Sequence, residues 1–216
     1  LDTKLIEVSC TDPAPEAIEA AADAIRAGKI VAIPTDTLYT LVADPFSLHA
    51  VSSVYRAKGR EMHRSLPILV DSITMAEDYA ATPLSARFLF LARRFWPGPL
   101  TIITPASSLL PLKVTGNCGR LAVRQSSTPI VERLIEALEG PVISTSANRS
   151  GQPTCRSGIE VFGEMDGRVD LILDGGAIDG AGATTVDITE IDWQLIKEGA
   201  VTREQLEDAF EGVEEG

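Results

Sequence analysis

The chain has 216 residues, 44% of them hydrophobic, which is enough apolar material for one well-filled core. Its 31 acidic against 19 basic side chains give a formal charge of -12, so a generally basic, nucleic-acid-coating surface is excluded and any RNA contact must come from a local patch. Three distant cysteines (Cys10, Cys118, Cys155) and two histidines (His49, His63) rule out a disulfide framework, a CxxC site and a His-rich metal centre, and no apolar run reaches the roughly 18 residues of a membrane span.

In chain order, Leu5 to Val8 reads as a short strand. Pro13 to Ala27 reads as a helix with Ile18, Ala21, Ala22 and Ile25 on one face, closed by Gly28. Ile30 to Ile33 is an apolar run of the kind buried on both faces of a sheet. It ends at Pro34, and Thr35-Asp36-Thr37 follow at once. Polar loop then leads to a helix from His49 to Lys58, with Val51, Val54 and Tyr55 inward. Leu66 to Val70 is a strand. Thr74-Met75-Ala76-Glu77 has the spelling of a helix-starting capping box. Pro83 to Trp96 repeats Leu84, Phe88, Leu91 and Phe95 at helical spacing and stops at Pro97-Gly98-Pro99.

The second half alternates similarly. Leu100 to Thr104 and Leu121 to Val123 are β-like, and Pro129 to Leu138 is an amphipathic helix. Val142-Ile143 is a short strand expected to end in the polar turn Ser144-Thr145-Ser146-Ala147-Asn148, and 149–158 is expected to be loop. Leu171 to Leu173, Thr185 to Ile188 and Gln194 to Ile196 are strand candidates. Thr202 to Phe210 is a last helix, and 211–216 is expected to fray. The reading is α/β: one domain over 1–216, with its core at about 14–205 and an open, twisted, mixed sheet flanked by helices.

Three groups of residues carry candidate chemistry. Lys58-Gly59-Arg60 sets a point charge and a guanidinium fork around a glycine that ends the helix, so both heads can turn to one anion, and Arg64 adds a third cation. Ser144 to Asn148 places hydroxyls and an amide at the end of a strand, where they can donate to phosphate or carboxylate oxygens. Arg124 closes an apolar strand and calls for an anionic partner, either an internal carboxylate or a ligand. No P-loop and no GxGxxG occurs, and a Ser-His-Asp triad is not available from these histidines.

Taken together, Pro34-Thr35-Asp36-Thr37 with Tyr39, Lys58-Gly59-Arg60, Trp96-Pro97-Gly98-Pro99-Leu100-Thr101, Ala122-Val123-Arg124 and Ser144-Thr145-Ser146-Ala147-Asn148 with Ser150-Gly151 resemble the YrdC/TsaC family, the L-threonylcarbamoyladenylate synthases. The resemblance covers about 14–205. It implies a YrdC-like open sheet around a large concave cavity, in the cytoplasm. It also implies a nucleotidyltransferase joining L-threonine, bicarbonate and ATP into threonylcarbamoyl-AMP with release of pyrophosphate. Mg2+ accompanies the ATP, without a protein cage for it. The product would pass to a downstream threonylcarbamoyl transferase complex that modifies position 37 of tRNA.

Carried onto this chain, the resemblance assigns Lys58, Arg60, Ser146 and Asn148 to catalysis. Arg64, Arg120, Ser144, Arg156 and Lys197 join Lys58, Arg60 and Asn148 around ATP. Thr37, Arg124, Ser146 and Thr184 are assigned to threonine. The chain departs from the family pattern at Thr40 (usually Gly), Glu61 (usually Pro), Ala183 (Ser) and Lys197 (Arg). Two competing readings remain open at this point. One is a non-catalytic binder of double-stranded RNA or tRNA, and the other is a paralogue acting on another carbamoyl acceptor.

Overall fold

A computed structural model of the chain describes residues 2–214. Ten strands form one mixed sheet: β1 (Lys4–Glu7), β2 (Val31–Ile33), β3 (Thr40–Ala43), β4 (Ile68–Leu69), β5 (Leu100–Pro105), β6 (Arg120–Arg124), β7 (Val142–Ser146), β8 (Leu171–Asp174), β9 (Thr184–Asp187) and β10 (Gln194–Lys197). Their spatial order is β1-β8-β2-β3-β7-β4-β6-β5-β9-β10. β8 lies parallel to β1 and β2, β4 to β6, and β5 to β9; the other neighbours are antiparallel. Seven helices flank it: α1 (Pro15–Arg26), α2 (Leu48–Lys58), α3 (Ile73–Tyr79), α4 (Ala86–Phe95), α5 (Pro129–Leu138), α6 (Gly158–Met165) and α7 (Arg203–Glu214).

Strand alternation splits the apolar side chains into two cores, one on each face of the sheet. Val31 and Ile33 of β2, with Val42, Leu69, Val142, Leu171 and Leu173, meet Ala17, Ile18, Ala21, Ala22 and Ile25 of α1 and Ile130, Leu134 and Ile135 of α5. Ala32, Leu41, Ala43, Ile68, Val123, Ile143 and Ile172 face the other way, onto α2, α4, α6 and α7. The expected inward face of α1 is therefore the observed one. Trp96 lies in the larger core, where its indole Nε1 donates to the Leu100 carbonyl at 2.7 Å.

Several boundaries differ from the sequence reading. The helix expected from Thr74 begins at Ile73, because Ser72 is its N-cap and accepts from the Met75 amide. The helix expected from Pro83 begins at Ala86, capped by the Ser85 hydroxyl on the Phe88 amide. α6 occupies 158–165, where no helix was expected, capped by Ser157 on the Glu160 amide. β3 was read as polar loop, yet all four of its residues are buried. β7 extends through Ser146, so Ser144, Thr145 and Ser146 lie on the strand rather than after it. Antiparallel pairing with Thr40, Leu41 and Val42 of β3 extends it. The tail expected to fray from 211 instead continues α7 to Glu214; residues 215 and 216 lie outside the described chain.

The 199–201 turn closes against 182–184 with no room to spare. The Ala200 amide donates to the Gly182 carbonyl at 2.9 Å, and a Cβ at Gly199 would lie 2.0 Å from that same carbonyl oxygen. Gly199→Ala is therefore expected to destabilise the fold by about 1–3 kcal/mol, the usual range for overpacking. Chemical denaturation of the variant beside Gly140→Ala, whose added Cβ would meet no atom closer than 4.0 Å, checks it. Equal midpoints would show that the turn relaxes freely.

Candidate active site

From β3 in the middle of the sheet to the edge strand β10, the strands line one cavity of about 510 Å³. Its walls carry the guanidinium and ammonium groups of Arg60, Arg64, Arg124 and Lys197 and the hydroxyls of Thr37, Thr40, Thr101, Ser144, Ser146 and Thr185. Among the described residues no carboxylate lines it, although the chain holds 31 acidic side chains. A concave site with one sign of charge in a low-dielectric surround focuses its potential on an incoming anion.

Two of the cations, Arg60 and Arg124, are held at the cavity by contacts of their own. Gly59, at φ 59°, ends α2 in the left-handed conformation, and Arg60 turns off behind it. Arg60 donates from Nη2 to the Ser65 carbonyl (2.9 Å) and from Nη1 to Thr145 Oγ1 (3.5 Å), while its buried Nε has no partner. Burial pulls its pKa below the ordinary arginine value, opposed by Tyr55 and then reinforced by Arg64. Arg124, at the end of β6, donates from Nη1 to Thr37 Oγ1 at 2.9 Å and from Nη2 to Asp36, which also accepts from Ser126 Oγ. Burial lowers the Arg124 pKa while Asp36 acts to raise it. The internal carboxylate left open by the sequence is thus Asp36. Even so, Arg124 Nε and Asp36 Oδ2 are buried without a partner. Among the described residues, the only buried side-chain polar atoms left unpaired are these two and Arg60 Nε.

Lys58 behaves differently from the expected clamp. It does not line the cavity, and its side chain runs behind Ser146 with the residue only 4% exposed. Its Nζ donates to the Ser146 carbonyl and to the Asn148 carbonyl (2.7 Å), with Ser146 Oγ and Asn148 Oδ1 both at 3.4 Å. Asn148 is turned the same way, its Nδ2 donating to the carbonyls of Arg149 (3.1 Å) and Gln152 (2.6 Å). Together the two brace the end of β7 that presents Ser144 and Ser146 to the cavity.

Burial and then Arg60 push the Lys58 pKa down from 10.5 to about 8. The unfolded chain therefore holds this proton more tightly than the folded one. The group's contribution to stability rises with pH between about 8 and 10.5 and is a constant penalty below that window. Stability of the wild type relative to Lys58→Met is expected to climb by about 3 kcal/mol from pH 7 to 11. Paired denaturant titrations across that range measure it, and a difference that stays flat would mean that Lys58 carries no depressed pKa.

Other expected site residues lie elsewhere. Thr184 is fully buried: its hydroxyl donates to the Val201 carbonyl (2.6 Å) and accepts from the amides of Gly199 and Val201. Its neighbour Thr185 lines the cavity instead, in register with Thr101 and Lys197, which line it too. Arg120 pairs with Asp187 at 2.9 Å and Glu190 at 3.5 Å, away from the cavity. Arg156 is exposed in the loop before α6 and does not reach it. Sequence reasoning missed Thr40, Thr101, Thr185 and Ile196 as cavity residues and Asp36 as the anchor of Arg124. Strand alternation could have chosen Thr185 over Thr184; nothing local could have paired Asp36 with a residue 88 positions on.

Two departures from the family pattern acquire places. Thr40 needs no glycine freedom on β3, where its hydroxyl donates to the Thr145 carbonyl (2.9 Å) and lies 2.9 Å from Ser144 Oγ. Glu61 faces His63 at 3.4 Å with its side chain 74% exposed, so no carboxylate enters the cation cluster.

The Sua5/YciO/YrdC family model, described as "Telomere recombination", matches residues 23–199. The chain belongs to the Sua5/YciO/YrdC family. Its relatives in that family include the threonylcarbamoyl-AMP synthases of Pyrococcus abyssi, 38% identical over 88% of this chain, and Bacillus subtilis, 34% identical over 93%. The chain spans a little over half the length of each, 56% and 58%. The Pseudomonas putida synthase is shorter; at 36% identity, 76% of this chain aligns to 86% of it. Among solved structures, P. abyssi Sua5 complexed with L-threonine superposes with a TM-score of 0.90 at 36% identity, over 95% of this chain and 60% of Sua5. E. coli YciO, at 23% identity and a TM-score of 0.84 over 91% of this chain and 96% of YciO, shares the Sua5/YciO/YrdC fold.

Proposed function

We propose that this chain is an L-threonylcarbamoyladenylate synthase that joins L-threonine, bicarbonate and ATP. The observation that carries the reading is the hydroxyl-lined cavity whose charged lining groups, among the described residues, are all cationic. The family membership and the threonine complex of P. abyssi Sua5 support it.

In this reading the threonine ammonium loses protons and its nitrogen bonds to the carbon of bicarbonate. Water and a proton leave, and an N-carboxylate remains. A carboxylate oxygen then attacks the α-phosphorus of ATP, the bond from that phosphorus to the oxygen bridging to the β-phosphate breaks, and pyrophosphate departs with the electron pair. No protein nucleophile is required, so the protein contributes positioning and charge stabilisation. Arg60, Arg64 and Lys197 would take the phosphates, with Ser144 and Ser146 donating hydroxyls beside them. Arg124, held by Asp36, would take the threonine carboxylate, and Thr37 would lie against the amino-acid side chain. Lys58 and Asn148 would act by holding the Ser146 strand end.

Mg2+ would arrive with the triphosphate. Among the described residues there is no cluster of three or more His, Cys, Asp or Glu suited to a metal, and no carboxylate faces the cavity. The product would pass to a threonylcarbamoyl transferase complex acting on tRNA in the cytoplasm, a compartment that three free cysteines suit.

Incubation with ATP, bicarbonate and Mg2+ is expected to release pyrophosphate only when L-threonine is present. Folded protein that releases none would overturn the enzyme reading. A duplex-RNA binder needs a cationic track, whereas these cations point into one cavity. Calorimetric titration with threonine or ATP beside a short RNA duplex separates the two readings.

A further inference from the structure

We propose that a second cavity, formed by the end of α1, the outer face of α2 and the turn between α6 and β8, binds a compact phosphate-bearing anion. It has a volume of about 540 Å³ and shares no lining residue with the cavity described above. Lys29, His49, Arg56 and Arg168 line it with a single carboxylate, Asp170, whose Oδ2 already accepts from the Ile30 amide at 3.0 Å. Acids outnumber bases 31 to 19 in this chain. Yet among the described residues neither Arg56 nor Arg168 nor Lys29 has a carboxylate within salt-bridge distance. Glu164, close enough to feel the charge of Arg168, is held by Arg149 at 2.8 Å.

Both guanidinium groups are partly fixed. Arg56 Nη2 donates to Ser53 Oγ at 2.7 Å, and Arg168 Nη1 reaches the Ala57 carbonyl at 3.4 Å. These contacts use a minority of the five donors on each fork, and the planar arrangement of the rest suits phosphate oxygens. The charge is local. Lys29 also borders a neighbouring groove that carries Asp2 and Asp23. An extended polyanion would meet those carboxylates, whereas an oligophosphate, free or as the tail of a nucleotide, fits within the cationic part.

The test is a calorimetric titration at low ionic strength with inorganic tripolyphosphate and, separately, with ATP. It is run on the wild type, on Arg60→Gln, and on the double variant Arg56→Gln/Arg168→Gln. The wild type is expected to take up two equivalents of tripolyphosphate. The double variant should lose one, through a weakening of about tenfold or more per arginine, and Arg60→Gln should lose the other. Equal affinity for tripolyphosphate and ATP would mean that the phosphate chain alone is recognised; tighter ATP would add the nucleoside. One equivalent in the wild type, or a double variant that still takes up two, overturns the proposal. Both arginines are exposed, so the double variant should keep the wild-type melting temperature. The Arg60→Gln arm keeps this result separate from that of the synthase reading, since loss of the first site leaves the second intact.

Discussion

Arg60→Gln is expected to lower threonine-dependent pyrophosphate release by about 10²- to 10³-fold, the range seen when one preorganised donor to a developing negative charge is removed. The argument rests on where the side chain sits. Arg60 lines the cavity, is held at Ser65 and Thr145 by its two terminal nitrogens, and carries a buried Nε without a partner. Such a group is positioned before substrate arrives, so charge that builds on the phosphates in the transition state meets it without reorganisation. Arg60→Lys should fall between, retaining the charge and losing the fork. Glu61→Ala should change the rate little, because that carboxylate points out to His63. Lys113→Ala is the neutral control, since Lys113 is tied to Ser52 at the surface. Single-turnover rates of the four variants decide it, and an Arg60→Gln enzyme as active as Lys113→Ala would remove Arg60 from the chemistry.

The parts of this molecule legible in the sequence are those whose signal is local. α1 shows its buried face at helical spacing, and Ile30 to Ile33 reads as a buried strand from composition alone. Of the cavity cations, Arg60 and Arg124 stand in family motifs, Arg64 is named for its nearness to Lys58-Gly59-Arg60 and Lys197 as a departure from the pattern, while Lys58, Arg120 and Arg156, expected beside them, do not line the cavity. What stayed hidden depends on long-range pairing. β3 has no alternation to display, because both of its faces are covered, and it exists as a strand because β2 and β7 lie on either side of it. The same partner draws Ser144 to Ser146 into β7. Lys58 reads as a ligand-facing cation because Gly59 ends the helix between it and Arg60 and lets both heads turn to one anion. The carbonyls that turn it inward belong to residues 88 and 90 positions away. α6 is the exception, since Ser157 and Glu160 have the spacing of a capping box and its start could have been found.

The second large effect concerns the pair that holds Arg124. Asp36 and Arg124 are 13% and 8% exposed in their side chains. Asp36→Ala leaves a buried guanidinium without its counter-charge and Ser126 without its acceptor, so a loss of about 3–5 kcal/mol is expected. Asp36→Asn keeps an acceptor for both donors and removes the charge, so it should lose less. The double variant Asp36→Ala/Arg124→Leu removes both charges at once, and because an apolar replacement of a buried pair is often neutral, much of the stability should return. Activity should not return, since no cation is left to meet the threonine carboxylate in the proposed reaction. Stability and threonine-dependent turnover are therefore expected to separate in that one protein: folded, ATP-binding through Arg60, and unresponsive to threonine. Should the double variant regain turnover along with stability, Arg124 would be a structural partner of Asp36 alone, and the threonine carboxylate would have to be met by one of the other cavity cations, Arg60, Arg64 or Lys197.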